Sequence, residues 1–474
     1  MSVLTLAMLF QLVPILGSYF MADDFAWLSF VKNAKSIWEA ATAPSPGGWT
    51  TPIPNIYFYS LFRLLGVEPT GYYLANASVH LFNTLIVYVL MRLVSADQRV
   101  AITASVIFGL HFSQYSDWGS MVWIAAFVQI LVGLFYLISL TLFLTYLRNR
   151  YWWSYAGSLF AYCLGLGSKE TAISLPVLLL CCVIFVCQST TISVRSVTKI
   201  LGWLSPFLIV TSIYLIYEVR FQHSQQHFEQ TFYYLGPHIF TNLKFLSNLV
   251  VPNPSSPPVH SFLERTFPAS ILAVADWVVY ATRLSLLGAA ILILWRGRGI
   301  SRLWLAMALV CYLPFLGFVE GYAGPNRYLY LSLVGFAALL SLGLWNCYEY
   351  VRQTKTRHFA TAAAIVFAVL VWGYNLIPMY AWGQQMRINS LTRREVVDVL
   401  RRCKLQPNSV LAGVDLVGFP EKFGDLALAS DLLFDVPGQI RMTDQGADLS
   451  AEENRMLLEY DSGAIEVRSL CPTK

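Results

Sequence analysis

Charge is what this chain has least of: only 12% of its 474 residues are Asp, Glu, Lys or Arg, where soluble domains carry roughly 25%. With 56% hydrophobic residues, that scarcity excludes an ordinary soluble domain and leaves a polytopic membrane protein. A basic segment ahead of the first apolar run is missing, and so is an A-x-A site before Asp23. That run therefore reads as a retained span rather than a cleaved signal. No run of like charge marks a nucleic-acid partner, and the net charge of +5 reads as a record of membrane orientation. Cysteine outside apolar stretches is also rare. Cys163, Cys181, Cys182, Cys187, Cys311 and Cys347 sit in apolar segments, where a thiol is a small hydrophobe. Cys403 and Cys471 remain in a polar tail, and we expect them to be disulfide-bonded if that tail faces an oxidising compartment. A fixed metal spacing is lacking as well: His223, His227 and His238 are loosely placed with no fourth ligand, so they read as surface polarity and no metal site is expected. No internal repeat is evident.

Apolar runs and aromatic residues dominate instead. With about 20 apolar residues per membrane-crossing helix, eleven spans are expected, near 3–21, 71–93, 99–117, 120–147, 152–167, 171–188, 200–219, 270–295, 303–319, 328–350 and 359–382. Short cytoplasmic loops are enriched in Lys and Arg, and every alternate connection is basic. These hold Arg92 and Arg99; Arg148 and Arg150; Arg195 and Lys199; Arg296, Arg298 and Arg302; and Arg352, Lys355 and Arg357. The opposite connections hold Asp23, Asp24, Asp117, Glu170 and Glu320. The N-terminus is therefore expected in the cytoplasm.

Two outer loops are long, 22–70 and 220–269. The first is expected to contain an interfacial helix over Phe25–Ala41, followed by the break PSPGGWTTPIP. The second, with VPNPSSPP, reads as a lid of short surface helices. After Trp382 the composition changes. The segment LTRREVVDVLRR has helical periodicity, and SVLAGVDL, RMLLEYD and AIEVRSL alternate like strands. The expected fold is an all-α polytopic membrane domain, 1–382, with a small extracytoplasmic α/β domain, 383–474.

Several outer residues carry chemistry. Asp23 and Asp24 are adjacent at the expected end of the first span, where two like charges ionise together only in water or beside a cation. A solvated helix cap explains such a pair as readily as an acid/base site. Asp117 in HFSQYSDW adds a third acid, and carboxylates converging from several span ends suit general-base work. Lys169 in the very short GSKE turn is a compact cation where outer loops are poor in Lys, suited to a phosphate. Arg327 opens the tenth span in GPNRYLYLSL. Simple snorkelling accounts for it about as well as donor binding; with Lys169 it would cradle a diphosphate or phosphodiester. His80 and Asn83 lie one helical turn apart in the second span, and His80 reads as a buried group bonded to a neighbouring helix.

In order, DDFAW, GYYLANASVHLFNTLIVYVL, FGLHFSQYSDW, GSKETAISLP and NRYLYLSL resemble the membrane glycosyltransferases of the GT-C fold. The similarity covers roughly residues 1–340 and is nearest to the transmembrane O-mannosyltransferases with tetratricopeptide repeats, part of the protein O-mannosyltransferase superfamily. The resemblance implies transfer of a hexose from a polyprenyl-phosphate donor to an acceptor hydroxyl on the non-cytoplasmic face, with inversion. The acceptor is a glycan, a lipid or a protein. It implies Asp23 or Asp24 as general base, with Asp23 favoured, and Asp117 as a second acid. Lys169 and Arg327 would contact the donor phosphate, with Glu170 orienting Lys169. The family's repeats are absent. GWTTPIPN stands where an Arg-Pro pair is usual, and HFSQ where His-Pro is usual.

A cofactor is not specified, and a divalent metal stays open. The alternative reading is a transporter or flippase of lipid-linked sugars, whose signature is ionisable groups in mid-span; here they cluster at span ends. A non-catalytic membrane scaffold is a third. The single glycosylation-type triplet, Asn76–Ser78, lies inside a span. That favours a bacterial inner membrane and a cell-envelope role over the endoplasmic reticulum.

Overall fold

The structure is a computed structural model. It describes residues 2–186 apart from 47, then 194–224, 234, 236–252, 256–319, 324–353, parts of 361–387, positions 390 and 394, and strand residues between 410 and 469. The helices begin with α1 (Ser2–Leu12), α2 (Asp23–Asn33), α3 (Ile37–Thr42), α4 (Pro52–Leu65), α5 (Pro69–Ser95) and α6 (Gln98–Leu110). They continue with α7 (Phe127–Asn149), α8 (Trp152–Leu166), α9 (Leu175–Val186), α10 (Val194–Ser224) and α11 (His238–Asn242). Then come α12 (Pro257–Thr266), α13 (Ala269–Arg296), α14 (Gly299–Val310) and α15 (Ser332–Arg352). The chain divides into two compact units, Met1–Leu12 with Ala75–Trp382, and Val13–Leu74 with Gly383–Lys474.

Among the described residues five helices are long and apolar enough to cross a membrane: Pro69–Ser95, Ile124–Asn149, Thr198–Arg220, Trp277–Arg296 and Asn326–Arg352. Glu170–Val186 and Gly299–Phe315 are shorter apolar helices. The expected spans differ from the structure mainly at their ends. The first is expected to reach residue 21, yet α1 stops at Leu12, two residues before Pro14, which has no amide for a further helical bond. The third and fourth stop short of each other, leaving 111–126 as a folded turn. Hydropathy misreads it because Phe112, Met121, Val122 and Ile124 are buried inside the protein, so the turn is as apolar as a span. The eleventh, 359–382, lies largely outside the described residues.

Within the first unit, small residues set the helix contacts. Ser139 on α7 and Ser158 on α8 donate to each other's backbone carbonyls at 2.7 and 2.8 Å, a polar clasp between membrane helices. Gly335 on α15 lies so close to α14 that a Cβ would sit 2.5 Å from the Ala308 nitrogen and the Trp304 oxygen. On α15, Ser341 donates to the Val100 carbonyl at 2.7 Å and Trp345 to Thr103 Oγ1 at 2.9 Å, joining it to α6. At the end of the unit where α6 and α8 begin, the cations face water. Arg99 meets Asp97 and Glu349, and Arg150 and Lys199 lie 4.6 and 5.3 Å over the Trp203 ring.

In the second unit the expected single helix over Phe25–Ala41 is two helices. Ser36 accepts from the Glu39 amide at 3.1 Å while Glu39 accepts from the Lys35 amide at 2.8 Å. This reciprocal cap starts α3 afresh. Trp27 packs on Phe58 at 5.6 Å rather than lying on a membrane-facing surface; Trp38 is 76% exposed. Helix α4 begins inside the Pro-rich break, because proline at the first helical position forfeits no hydrogen bond. Asn55 on α4 donates to the carbonyls of Ala40 and Ala43 at 2.9 and 3.0 Å, tying α4 to α3.

Strands occupy β1 (Val410–Gly413), β2 (Arg441–Thr443), β3 (Arg455–Asp461) and β4 (Ala464–Ser469), in the order β2-β1-β3-β4. β1 is parallel to β2 and β3, and β3 pairs antiparallel with β4 in the register Leu458↔Val467. The helix expected at LTRREVVDVLRR and the Cys403–Cys471 pair lie outside the described residues.

Candidate functional site

The turn after α6 starts at His111, whose Nδ1 lies 2.8 Å from Ser113 Oγ and whose Nε2 lies 3.0 Å from the Leu249 carbonyl. The chain then reverses through Asp117 and Trp118, both left-handed at φ 48° and 56°, a conformation that costs non-glycine residues about 1–3 kcal/mol each. Gly119 follows because a Cβ there would collide with the Ser113 and Gln114 carbonyls. The result places the Asp117 carboxylate in a partly buried position, 3.3 Å from the Ser256 hydroxyl, which donates to it. Burial pushes this carboxyl up to about 6, against the opposing pull of the Ser256 bond and the Arg327 charge.

A second turn, Asn326–Leu329, leads into α15 and clips onto the first. The Asn326 amide donates to the Asp117 carbonyl at 2.9 Å. Its side chain donates to the Ser116 carbonyl at 3.3 Å and accepts from Asn248 at 3.3 Å. Next to it, Arg327 holds its guanidinium 4.6 Å over both the Trp123 and Tyr328 rings. Lys169, at the tight turn between α8 and α9, places its ammonium 5.6 Å over the same Tyr328 ring. Neither cation has a carboxylate within ion-pair distance among the described residues. Glu170 does not pair with Lys169; its electrostatic neighbour is Tyr214 on α10.

The described residues of the connection before α13, 234, 236–252 and 256–268, bond to this end of the unit. Tyr234 donates its amide to the Gly317 carbonyl at 2.9 Å, and Asn242 donates to the carbonyls of Leu316 and Phe318 at 3.1 and 2.7 Å. Trp382 donates to Ser256 Oγ at 3.2 Å. His238 is buried here with Nε2 3.4 Å from the Gly317 carbonyl. The described residues contain no group of three potential metal ligands.

The second unit carries the other two acids, and they are unlike each other. Asp24 is fully buried, accepting from the Met21 amide at 2.9 Å while its own amide donates to the Met21 carbonyl at 3.0 Å. It fixes the reversal at Ala22, where φ is 48°. Asp23, in the same first turn of α2, is exposed. Aromatic residues Phe20, Phe25, Phe58 and Tyr72 pack beneath, with ring centroids 5.1–6.3 Å apart.

Asp117, Lys169 and Arg327, picked out from sequence, thus meet in the first unit, while Asp23 and Asp24 are carried by the second. Asn326, Asn248, Ser256, Trp123 and Tyr328 were not picked out. Asn326 had a signal, its place immediately before Arg327; the others had none. No family model and no curated protein matches the chain. Solved structures do: the apo state of ArnT from Cupriavidus metallidurans aligns with a TM-score of 0.51 at 14% identity, over 94% of this chain and 86% of that one. The fold is that of a GT-C glycosyltransferase. A structure of the same protein bound to undecaprenyl phosphate aligns over the same shares at 14% identity and a TM-score of 0.49. In the GT-C fold of this chain, the turns at 111–126, 167–174, 312–319 and 324–331 gather at one end of the first unit.

Proposed function

We propose that the chain is an integral membrane glycosyltransferase of GT-C type. It transfers a hexose from a polyprenyl-phosphate donor to an acceptor hydroxyl on the non-cytoplasmic face, with inversion, and the mannosyltransferase branch is its nearest relation by motif order. One observation carries the reading: Arg327 and Lys169 share one aromatic wall, without a carboxylate at ion-pair distance among the described residues, beside the partly buried Asp117. Cations so held are available to an anionic ligand. A lipid phosphate departs readily once its charge is neutralised, so preorganised cations and one base suffice for the chemistry.

In this reading Asp23, exposed at the start of α2, takes the proton of the acceptor hydroxyl. The acceptor oxygen bonds to the anomeric carbon as the carbon–oxygen bond to the phosphate breaks, and the electron pair leaves on the lipid phosphate held by Lys169 and Arg327. Asp24, bonded to its own turn, positions Asp23. Asp117 polarises or orients the acceptor, and the long connection before α13 excludes water. Eleven spans, a cytoplasmic N-terminus, a bacterial inner-membrane location and an outer α/β domain at 383–474 complete the proposal. It is supported by outer turns that alternate along the chain and share one end of the first unit.

The test is transfer from a synthetic polyprenyl-phosphate hexose by the purified protein in lipid nanodiscs. Asp23→Asn, inserted and folded normally, is expected to lose at least about 100-fold in rate. Full activity in both Asp23→Asn and Asp24→Asn overturns the mechanism.

A further inference from the structure

The polar cluster around His80 lies among apolar helices and touches none of the three site side chains, yet it ends on the turn that carries Arg327. Tyr330 sits at its centre. Its hydroxyl lies 2.8 Å from His80 Nδ1 and accepts from Asn83 Nδ2 at 2.8 Å. The far nitrogen of His80 faces the Gly109 carbonyl at 3.3 Å. A carbonyl only accepts, so His80 carries its proton on Nε2 and Nδ1 accepts from Tyr330. Asn83 also donates to the Ile130 carbonyl at 2.9 Å. One phenol thereby links α5, α6, α7 and the start of α15.

The ring is held as firmly as the hydroxyl. Phe108 meets it edge-on at 5.3 Å. Gly133 leaves room for it: a Cβ there would come within 2.5 Å of the Tyr330 ring. Tyr330 is coupled to the site by the backbone, since its amide donates to the Arg327 carbonyl at 3.3 Å. The same turn holds Asn326, whose amide grips the Asp117 carbonyl.

We propose that Tyr330, anchored by His80 and Asn83, is a positioning residue that sets where Arg327 and Asn326 stand, and so fixes the spacing between the donor-phosphate cation and the Asp117 turn. The inference rests on the proposed function for its kinetic consequence, but not for its structural one. A hydroxyl buried among apolar helices has no water to replace a lost partner, so removing it frees the turn rather than rewetting it.

Two readouts on the full-length protein in nanodiscs test it. Tyr330→Phe keeps the ring and its packing. With a polyprenyl-phosphate hexose as donor it is expected to raise the donor KM about tenfold while kcat stays within about twofold, the split that marks lost ground-state positioning. Independently of transfer, phenylglyoxal modification of Arg327, followed by peptide mass spectrometry, is expected to become several times faster. Gly133→Ala, which pushes on the ring, is expected to shift both readouts the same way. Tyr162→Phe removes a hydroxyl on α8 paired with Thr211 on α10 at 2.6 Å, away from the hydrogen bonds that hold Tyr330, and is expected to change neither. Wild-type Arg327 reactivity in Tyr330→Phe overturns the inference. So does an equal change in Tyr162→Phe. If wild-type protein shows no transfer at all while Arg327 reactivity still responds to Tyr330→Phe, the proposed function fails and the positioning role stands.

Discussion

At one end of the first unit Arg99 points at two carboxylates, 3.2 Å from Asp97 and 2.7 Å from Glu349, with 48% of its side chain exposed. At the other end Arg327 lies against Trp123 and Tyr328, themselves 7% and 8% exposed, and meets no carboxylate at ion-pair distance among the described residues. The acids diverge in step: the arginine beside it holds Asp97 below the usual carboxylate range, while burial drives Asp117 to about 6. Charges at the first end are satisfied by one another and by water. At the second Arg327 is held in place by aromatic rings and acts on Asp117 without an ion-pair contact among the described residues. Arg150 shows that stacking alone is not the distinction, for it lies over Trp203 while exposed.

The contrast breaks if the two arginines behave alike. The largest expected effect is in Arg327→Ala, which should lower transfer from a polyprenyl-phosphate hexose by about 100-fold or more, the usual cost of removing a charge-stabilising donor. Steady-state rates in nanodiscs measure it. Of intermediate size is the pH response. If ionised Asp117 takes part, transfer should rise between pH 5 and 7 with a midpoint near 6, and Asp117→Asn should lose that limb. The stability consequence has a definite sign. The folded state holds this proton more tightly than the unfolded chain, so Asp117 contributes a penalty that grows as pH rises from the ordinary carboxylate range to about 6. Thermal unfolding of wild type against Asp117→Asn across that window should therefore diverge as pH rises. The smallest effect is in Arg99→Gln. Exposed ion pairs contribute little, and neither the melting temperature nor the transfer rate should move beyond measurement error.

Much of the scaffold was legible because long apolar helices announce themselves by length. The fifth expected span, 152–167, differs from α8 by a single residue. Boundaries failed where turns are as apolar as the helices they join, as at 111–126, since hydropathy does not distinguish burial in protein from burial in lipid. The break between α2 and α3 was hidden because its cause is a three-residue reciprocal cap inside an otherwise amphipathic stretch. At the site, Lys169 and Arg327 stood out as cations in loops otherwise acidic. Asn326 and Ser256 did not, because their importance comes from what they touch, Asp117 in both instances, more than 130 positions away. The difference between Asp23 and Asp24 was likewise invisible. Neighbouring acids look identical in a sequence until one of them turns inward to close its own turn.

The long connection before α13 grips residues 316–318 through their carbonyl oxygens, which every amino acid supplies. Positions 316 and 318 can therefore drift over evolutionary time without the loop letting go, whereas Asn242, whose amide does the reaching, has no such latitude. A segment fastened in this way leaves the side chains at 316 and 318 free to vary while the connection stays in place.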